Sequence, residues 1–361
     1  MLPKISTFAD FQLVETGIDH LRESLPRVLK DFPAETIELI AEAILDSSER
    51  QGLRFSAAQA LTAARAIEPV KAVRELAAAY LTEYPGKLAS LVGPWINCDA
   101  QAERSLEAAS EVVQTLIRTA IQWSAEIVQA VVEEDSVFSR EALHSSGFYR
   151  LATLYQMTLD FSDERTAASK LFSRTTENLV TSFDNEKGFL VWRRYEASDY
   201  AAWIEWMDAT YEGTADCPEL NGVRTTSETF SGYWASSGVK PGGLDSPEWW
   251  AAFESNADSP DGSKSSPKIA SAFMLGNSSL GLWELSYMGV APKYRSQGIG
   301  RMTLAKALLR SQTLAAQQLG LAVDHRNTNA IQLYEQFGFE KTRQLEAWFL
   351  SLKQAKSHNR F

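Results

Sequence analysis

Cysteine is nearly missing from this chain: Cys98 and Cys217 are the only two among 361 residues. They lie far apart and outside any CxxC or Cys/His ligand spacing, which excludes a disulfide framework and a zinc site and fits a reducing, cytoplasmic setting. Long hydrophobic runs are lacking too. No stretch approaches the ~18 apolar residues of a membrane span, and the opening MLPKISTFADFQLVE has no long apolar segment, so a soluble protein is expected. Positive charge is in deficit: 35 Lys and Arg stand against 46 Asp and Glu, a net charge of −11. That balance argues against a general binder of nucleic acid or of anionic membrane. What the chain does have is length. It exceeds the ~100–200 residues usual for one domain, so two domains are expected, as a monomer or a homodimer.

Apolar residues between Ile18 and Glu49 recur at three- and four-residue steps, which predicts two amphipathic helices broken near Pro33. AAQALTAARA (57–66) reads as a strand. Residues 73–96 are Ala-rich at their start, yet the Pro85-Gly86 turn and the following LASLV favour a hairpin. A long helix and a short strand, IVQAVVEE (127–134), follow. Residues 166–188 are polar and read as a linker between a domain over 1–165 and another over 189–361. The second half opens on the strand FLVWRRYE and a helix after Ser198. Between Ser236 and Lys268 the sequence is dense in Ser, Gly, Pro, Asp and Asn, with Trp249, Trp250 and Phe253 expected to pin a short helix to the core. Two strands flanking GNSS (276–279) then lead to PKYRSQGIGRMTL (292–304).

That stretch is neither a dinucleotide fingerprint nor a P-loop. The third glycine of the first is absent, and no Gly-Lys-Ser/Thr follows as in the second. Its setting carries more weight: a strand ending at Val290, a short basic turn, then a helix with Gly320 as the expected C′ residue. Glycines at such a helix start let an anionic ligand approach backbone N–H groups that have no intrahelical partner, and the helix dipole favours negative charge there.

Downstream, LAVDHRNTNAIQLYEQFGFEKTR reads as strand, loop, a helix capped by Thr328 or Asn329, a stop at Gly338 and a further strand. Together, MGVAPKYRSQGIGRMTLAKALL and NTNAIQLYEQFGF resemble the GNAT acyltransferase superfamily. The Arg/Gln-x-x-Gly-x-Gly signature is met by Arg295 to Gly300, and the second signature by Asn329, Ala330, Tyr334, Gly338 and Phe339. The resemblance is specific over about residues 268 to 350. It implies an α/β (α+β) fold whose mixed, mostly antiparallel sheet has flanking helices and a splayed parallel strand pair.

The resemblance also implies an N-acyltransferase that moves an acetyl group from acetyl-CoA, or another acyl-CoA, directly to a primary amine on a small molecule or peptide. The pyrophosphate would lie on the turn formed by Arg295, Gln297, Gly298, Ile299, Gly300 and Arg301, and the pantetheine along Met288 and Val290, with Asn329 beside it. Tyr334 would be the general acid for the departing thiolate and Glu284 the general base for the amine, with His325 in reserve. Asp216, Glu219 and Arg224, in the loop after the first helix, are the candidate acceptor contacts. Cys217 has no histidine nearby in sequence and reads as structural. The rival reading is a regulatory protein that binds acyl-CoA without turning it over.

Placing residues 142–161 over 333–352 aligns Gly147 with Gly338 and Phe148 with Phe339. This internal repeat points to a second, diverged GNAT-like domain over residues 20 to 160, the competing reading being an unrelated helical domain. This first copy lacks the glycine turn, carries Asp99, Glu103 and Glu107 in its place, and has Leu143 or His144 where the tyrosine would stand. Such a copy is not expected to hold CoA.

Overall fold

The computed structural model describes residues 4–7, 11–29, 33–51, 53–62, 75–96, 102–161, 190–237, 247–254, 268–277 and 282–353. The linker expected over 166–188 lies outside them. The chain forms two compact units, one of Met1–Thr153 with Gln344–Phe361, the other of Leu154–Arg343. The division differs from cuts at 165 and 189, because each unit includes a strand from the far end of the other half of the chain.

In the first unit, β1 (Lys4–Thr7), β2 (Phe11–Gly17), β3 (Phe55–Thr62), β4 (Glu75–Tyr84), β5 (Leu88–Ile96) and β6 (Ile127–Glu133) lie side by side in that order. Helices α1 (Leu21–Val28) and α2 (Ala34–Gln51) connect β2 to β3, α3 (Ala102–Gln122) connects β5 to β6, and α4 (Val137–Ser145) follows β6. The last strand of the sheet is β13 (Glu340–Ser351), whose residues 345–351 pair antiparallel with 133–127 of β6. Alanine prefers helix, but β3 and β4 are strands, and their small side chains let α3 approach closely. Ala108, Ala109, Val112, Val113, Leu116 and Ile117 of α3 share one core with Ala77, Ala79 and Leu81 of β4. Tertiary packing overrides propensity here.

In the second unit the order is β7 (Tyr149–Asp160), β12 (Gln318–Asp324), β11 (Leu282–Val290), β10 (Ile269–Asn277), β9 (Glu248–Glu254) and β8 (Leu190–Arg194). Four helices complete it: α5 (Tyr200–Thr210), α6 (Thr226–Ser236), α7 (Ile299–Thr313) and α8 (Thr328–Gln336). Three local expectations are corrected. Trp249, Trp250 and Phe253 sit in β9, a strand rather than a short helix, since alternate residues are needed to bury Trp249 while pairing β8 and β10. Gly320 lies inside β12, and α7 stops earlier, where Ala315 takes the left-handed conformation (φ 55°) that was expected of the glycine. The cap of α8 is Asn327, whose side chain accepts from the Ala330 N–H at 3.3 Å, rather than Thr328 or Asn329.

The repeat is a repeat of elements. The starts of β6 and β12 (127 and 318), α4 and α8 (137 and 328), and β7 and β13 (149 and 340) are each 191 residues apart, and the paired elements have equal lengths. Both units contain one parallel pair that opens after a few residues. In the first it runs from Leu88/Ile127 to Leu91/Ala130, in the second from Leu282/Gln318 to Glu284/Gly320. The mixed, mostly antiparallel sheets with flanking helices are the architecture expected of both halves. Among the described residues no helix is long and apolar enough to cross a membrane.

Candidate active site

The site is built where β11 parts from β12. Pairing stops at Glu284 and Gly320, so from Leu285 to Val290 β11 is hydrogen-bonded only to β10. A bulge falls in this stretch: Met274 faces Tyr287 and Leu275 faces Leu285, which leaves Ser286 as an extra residue. One extra residue inverts the alternation of side chains beyond it. Before the bulge, Trp283 and Leu285 point to the core shared with α7; after it, Met288 does. Glu284 and Tyr287, three residues apart and otherwise on opposite faces, therefore share the face toward α5. Gly289 is on that face too, where a Cβ would come within 2.8 Å of the Thr210 methyl of α5.

The glycine turn follows directly. Ser296 (φ 61°) and Gly298 (φ 80°) are both left-handed, and α7 starts at Ile299 with no side chain capping it. Ser296, Gln297, Gly298 and Arg301 are exposed, and Gly300 is half-buried. The first amides of a 15-residue helix thus open on solvent beside the free edge of β11. Arg295 is placed otherwise than the resemblance implies. Its guanidinium donates to the carbonyls of Val290 (3.1 Å), Thr210 (3.0 Å) and Glu212 (2.6 Å), which ties the C-terminal end of α5 to the end of β11. Arg301 donates to Gln336 at 2.6 Å and lies over the Phe337 ring, and Gln297 bonds the Lys293 carbonyl. Asn329 is exposed on the first turn of α8.

Tyr334 projects from α8, its ring 5.7 Å from that of Phe339 and 8% exposed. Its phenol finds no acceptor among the described residues. Burial, helped by the nearby Asp216 carboxylate, raises its pKa well above the ordinary phenol value. Tyr287 differs in the use of its proton. The Thr210 hydroxyl donates to the Met207 carbonyl (2.7 Å), so it accepts from the Tyr287 hydroxyl at 2.6 Å, and that proton is committed. Tyr233 is 5.4 Å from Tyr287, ring to ring. Its pKa is raised above the ordinary phenol value first by burial and then by Tyr287, Tyr211, Asp216 and Glu284.

Glu284 has no ion pair or hydrogen bond among the described residues. The residue is exposed, yet enough protein crowds its carboxylate for desolvation to raise its pKa above the usual carboxylate range. Asp216 behaves likewise: burial raises its pKa while one oxygen accepts the Asp324 N–H at 3.0 Å. The other two loop candidates are engaged elsewhere. Glu219 is held in a two-pronged pair by Arg326 (2.5 and 2.9 Å), and Arg224 donates to the Glu228 carbonyl at 2.6 Å.

The Cys217 thiol, pushed up to about 12 by burial and then by Asp216 and Asp324, stays protonated at neutral pH, and its N–H donates to Asp324. Asp324 is fully buried. Burial acts to raise its pKa, but bonds from the Arg326 side chain, from the Arg326 and Cys217 amides and the Arg326 charge outweigh it and hold the carboxyl below the ordinary range. His325 Nδ1 lies 3.3 Å from the Asp324 carboxylate, and its side chain is 44% exposed.

Tyr211, Tyr233, Tyr287 and Arg326 are the residues that motif reading did not find. Nothing in the sequence reveals the bulge that turns Tyr287 toward α5. Arg326 had a signal, an arginine two residues after a strand-end aspartate.

The first unit differs at the corresponding strand. There α4 meets β5 directly: the Ser139 hydroxyl donates to the Pro94 carbonyl at 2.7 Å, and Pro94 has no N–H to offer a ligand. The 191-residue offset puts Leu143, fully buried in that unit's core, in the place of Tyr334.

Residues 267–341 match the model of the acetyltransferase (GNAT) domain. Among solved structures, the GCN5-related glucosamine N-acetyltransferase region of a fungal multi-domain GH3 β-N-acetylglucosaminidase is similar, with a TM-score of 0.55 and 11% identity over 94% of this chain and 38% of that one. A tandem GNAT protein from the clavulanic acid biosynthesis pathway gives a TM-score of 0.51 and 12% identity, over 94% and 98% of the two chains. A GCN5-related N-acetyltransferase from Sphaerobacter thermophilus gives 0.46 and 14%, over 82% and 80%. A comparison with curated proteins by sequence gives no match. At these identities the structural likeness is one of fold.

Proposed function

We propose that this protein, a member of the GNAT superfamily in tandem arrangement, is an N-acyltransferase that moves an acetyl group from acetyl-CoA to a primary amine within its second unit. The observation that carries the reading is an exposed helix start with no side-chain cap, directly after a strand whose parallel pairing has ended, in a unit where the Glu284 carboxylate and the Tyr334 phenol have no partner among the described residues. The amides of Ile299, Gly300 and Arg301 fit a pyrophosphate because they have no intrahelical acceptor and face the dipole's positive end. The free edge of β11 near Met288 and Val290 suits the amide-bearing pantetheine arm, with Asn329 across from it. Acetyl-CoA supplies an activated thioester acyl group.

The chain's own residues do the proton work. Glu284, crowded and raised in pKa, takes one proton from the bound ammonium to leave the neutral amine that attacks the thioester; the second nitrogen proton is lost to solvent as the amide forms, and solvent reprotonates Tyr334 after turnover. Tyr334, whose phenol has no other acceptor, gives its proton to the departing sulfur. A thiol titrates near ~8.5, below a phenol, so a buried Tyr334 keeps its proton until the thiolate forms. Arg295 serves as a positioning residue, fixing α5, which carries Thr210, against β11.

The test is release of free thiol from acetyl-CoA in the presence of an amine panel, with Tyr334→Phe beside the wild-type protein. Acetyl transfer that falls ~10²-fold in the variant is expected. Binding of acetyl-CoA with no transfer to any amine would instead favour a regulatory acyl-CoA-binding protein.

A further inference from the structure

Residues 210–219 run between the far ends of the two strands that part. β11 and β12 pair only as far as Glu284 and Gly320, and the end of each is tied to this one segment. At the β11 end, Arg295 joins the Val290 carbonyl to those of Thr210 and Glu212. At the β12 end, the Asp324 N–H donates to Asp216 at 3.0 Å, the Cys217 N–H donates to the Asp324 carboxylate at 3.1 Å, and Arg326 holds Glu219 at 2.5 and 2.9 Å. This second tie also shapes the start of the Tyr334 helix. The Asp324 carboxylate accepts from the Arg326 N–H at 2.9 Å and from its guanidinium at 2.6 Å, and the Asp324 carbonyl accepts from the N–H of Asn327, the cap of α8.

We propose that Arg326 is a positioning residue for acyl transfer: gripping Glu219 and Asp324 together, it clasps the 210–219 segment to the turn that starts α8 and so holds Tyr334 in line with the departing sulfur. The proposal rests on the acyl-transfer reading above. A planar guanidinium that meets two carboxylates fixes direction as well as distance. The two halves of the clasp differ in what they hold. Asp324 is fully buried, and removing its guanidinium would leave a charge stranded in the protein. Glu219 and Arg326 are 43% and 36% exposed, and an ion pair so placed adds little to stability. Its worth is in alignment, where an error of about 1 Å can cost ~10²-fold in rate.

Glu219→Ala therefore opens the clasp without disturbing Asp324. Thiol release from acetyl-CoA is measured with phenethylamine, spermidine and a lysine-containing peptide, the fastest of the three serving for kcat and KM, beside calorimetric binding of acetyl-CoA and Tm. Glu219→Ala should lower kcat ~10-fold and leave acetyl-CoA affinity and Tm unchanged, since the clasp is made at the β12 end and the helix start of α7 follows β11. Glu219→Gln, which still accepts a hydrogen bond, should recover most of the loss. In a Tyr334→Phe background Glu219→Ala should cost less than ~2-fold further, because the group it aligns is already gone. An unchanged kcat in Glu219→Ala, a loss matched by a fall in Tm or in acetyl-CoA affinity, or a full ~10-fold loss persisting beside Tyr334→Phe would overturn the clasp while acyl transfer stands. If the wild-type protein acetylates none of the three amines, acyl transfer is overturned and this proposal with it.

Discussion

Two tyrosines of the second unit differ in what their protons do. Tyr287 and Tyr334 are both buried enough to raise their phenols, but Tyr287 spends its proton on Thr210 and Tyr334 does not. Thr210→Val should therefore leave the kcat effect of Tyr334→Phe unchanged in a double-mutant comparison, because it removes only the acceptor of Tyr287. Glu284 supplies a pH signature. Burial raises its pKa in the folded state, so ionisation is harder folded than unfolded and stability falls as pH rises through the window between the two values. Glu284→Gln should thus raise Tm at neutral pH, with the difference vanishing at low pH. In the wild-type profile of kcat/KM the acid limb should lie above the usual carboxylate range, and the same Glu284→Gln substitution should abolish that limb with most of the activity.

Elements show what was and was not legible in the sequence. The strand, turn and helix around Arg295 to Gly300, and the Tyr334 helix, were readable because each has a local cause: glycines with required geometry, a 3.6-residue repeat, and a stop at Gly338 (φ 87°). The bulge at Ser286 was not, since it arises from pairing with β10, and so Tyr287 and Tyr233 were missed. The fate of Arg295 was hidden for the same reason; its acceptors, Thr210 and Glu212, are more than 80 residues away in sequence. Gly298→Ala places a Cβ at φ 80° and should cost ~1–2 kcal/mol, read as a lowered Tm, with weaker acetyl-CoA binding. Gly289→Ala should destabilise by a similar ~1–3 kcal/mol because its Cβ meets the Thr210 side chain at 2.8 Å, and Thr210→Ser in the same background should restore part of the loss.

At the scale of the whole molecule, the repeat was visible as Gly147/Phe148 over Gly338/Phe339, but strand destination was not. β7 and β13 have the same length and follow equivalent helices, so nothing local says which sheet each strand joins. The first unit depends on β13. Trp348, Leu350 and Leu352 belong to its core, and the buried Glu346 receives Arg150 at 2.9 Å and Arg140 at 3.4 Å. Truncation after Arg343 removes all four. At ~1.5–3 kcal/mol for each large apolar side chain, the loss is comparable to the ~5–15 kcal/mol stability of a whole domain. Limited proteolysis of the truncated chain should cut first within residues 1–153.

That one unit of the pair binds acyl-CoA, at the start of α7, is tested most directly at Gly300. Its φ is not left-handed, and a Cβ there meets only Val290 and Leu333 at ordinary distances of 3.7 and 3.9 Å. A glutamate at a helix start also suits the dipole, so Gly300→Glu should fold. Calorimetric titration of acetyl-CoA should give one site per chain in the wild-type protein and at least ~10-fold weaker binding in Gly300→Glu at unchanged Tm. Two sites per chain, or an affinity that Gly300→Glu leaves untouched, would contradict it.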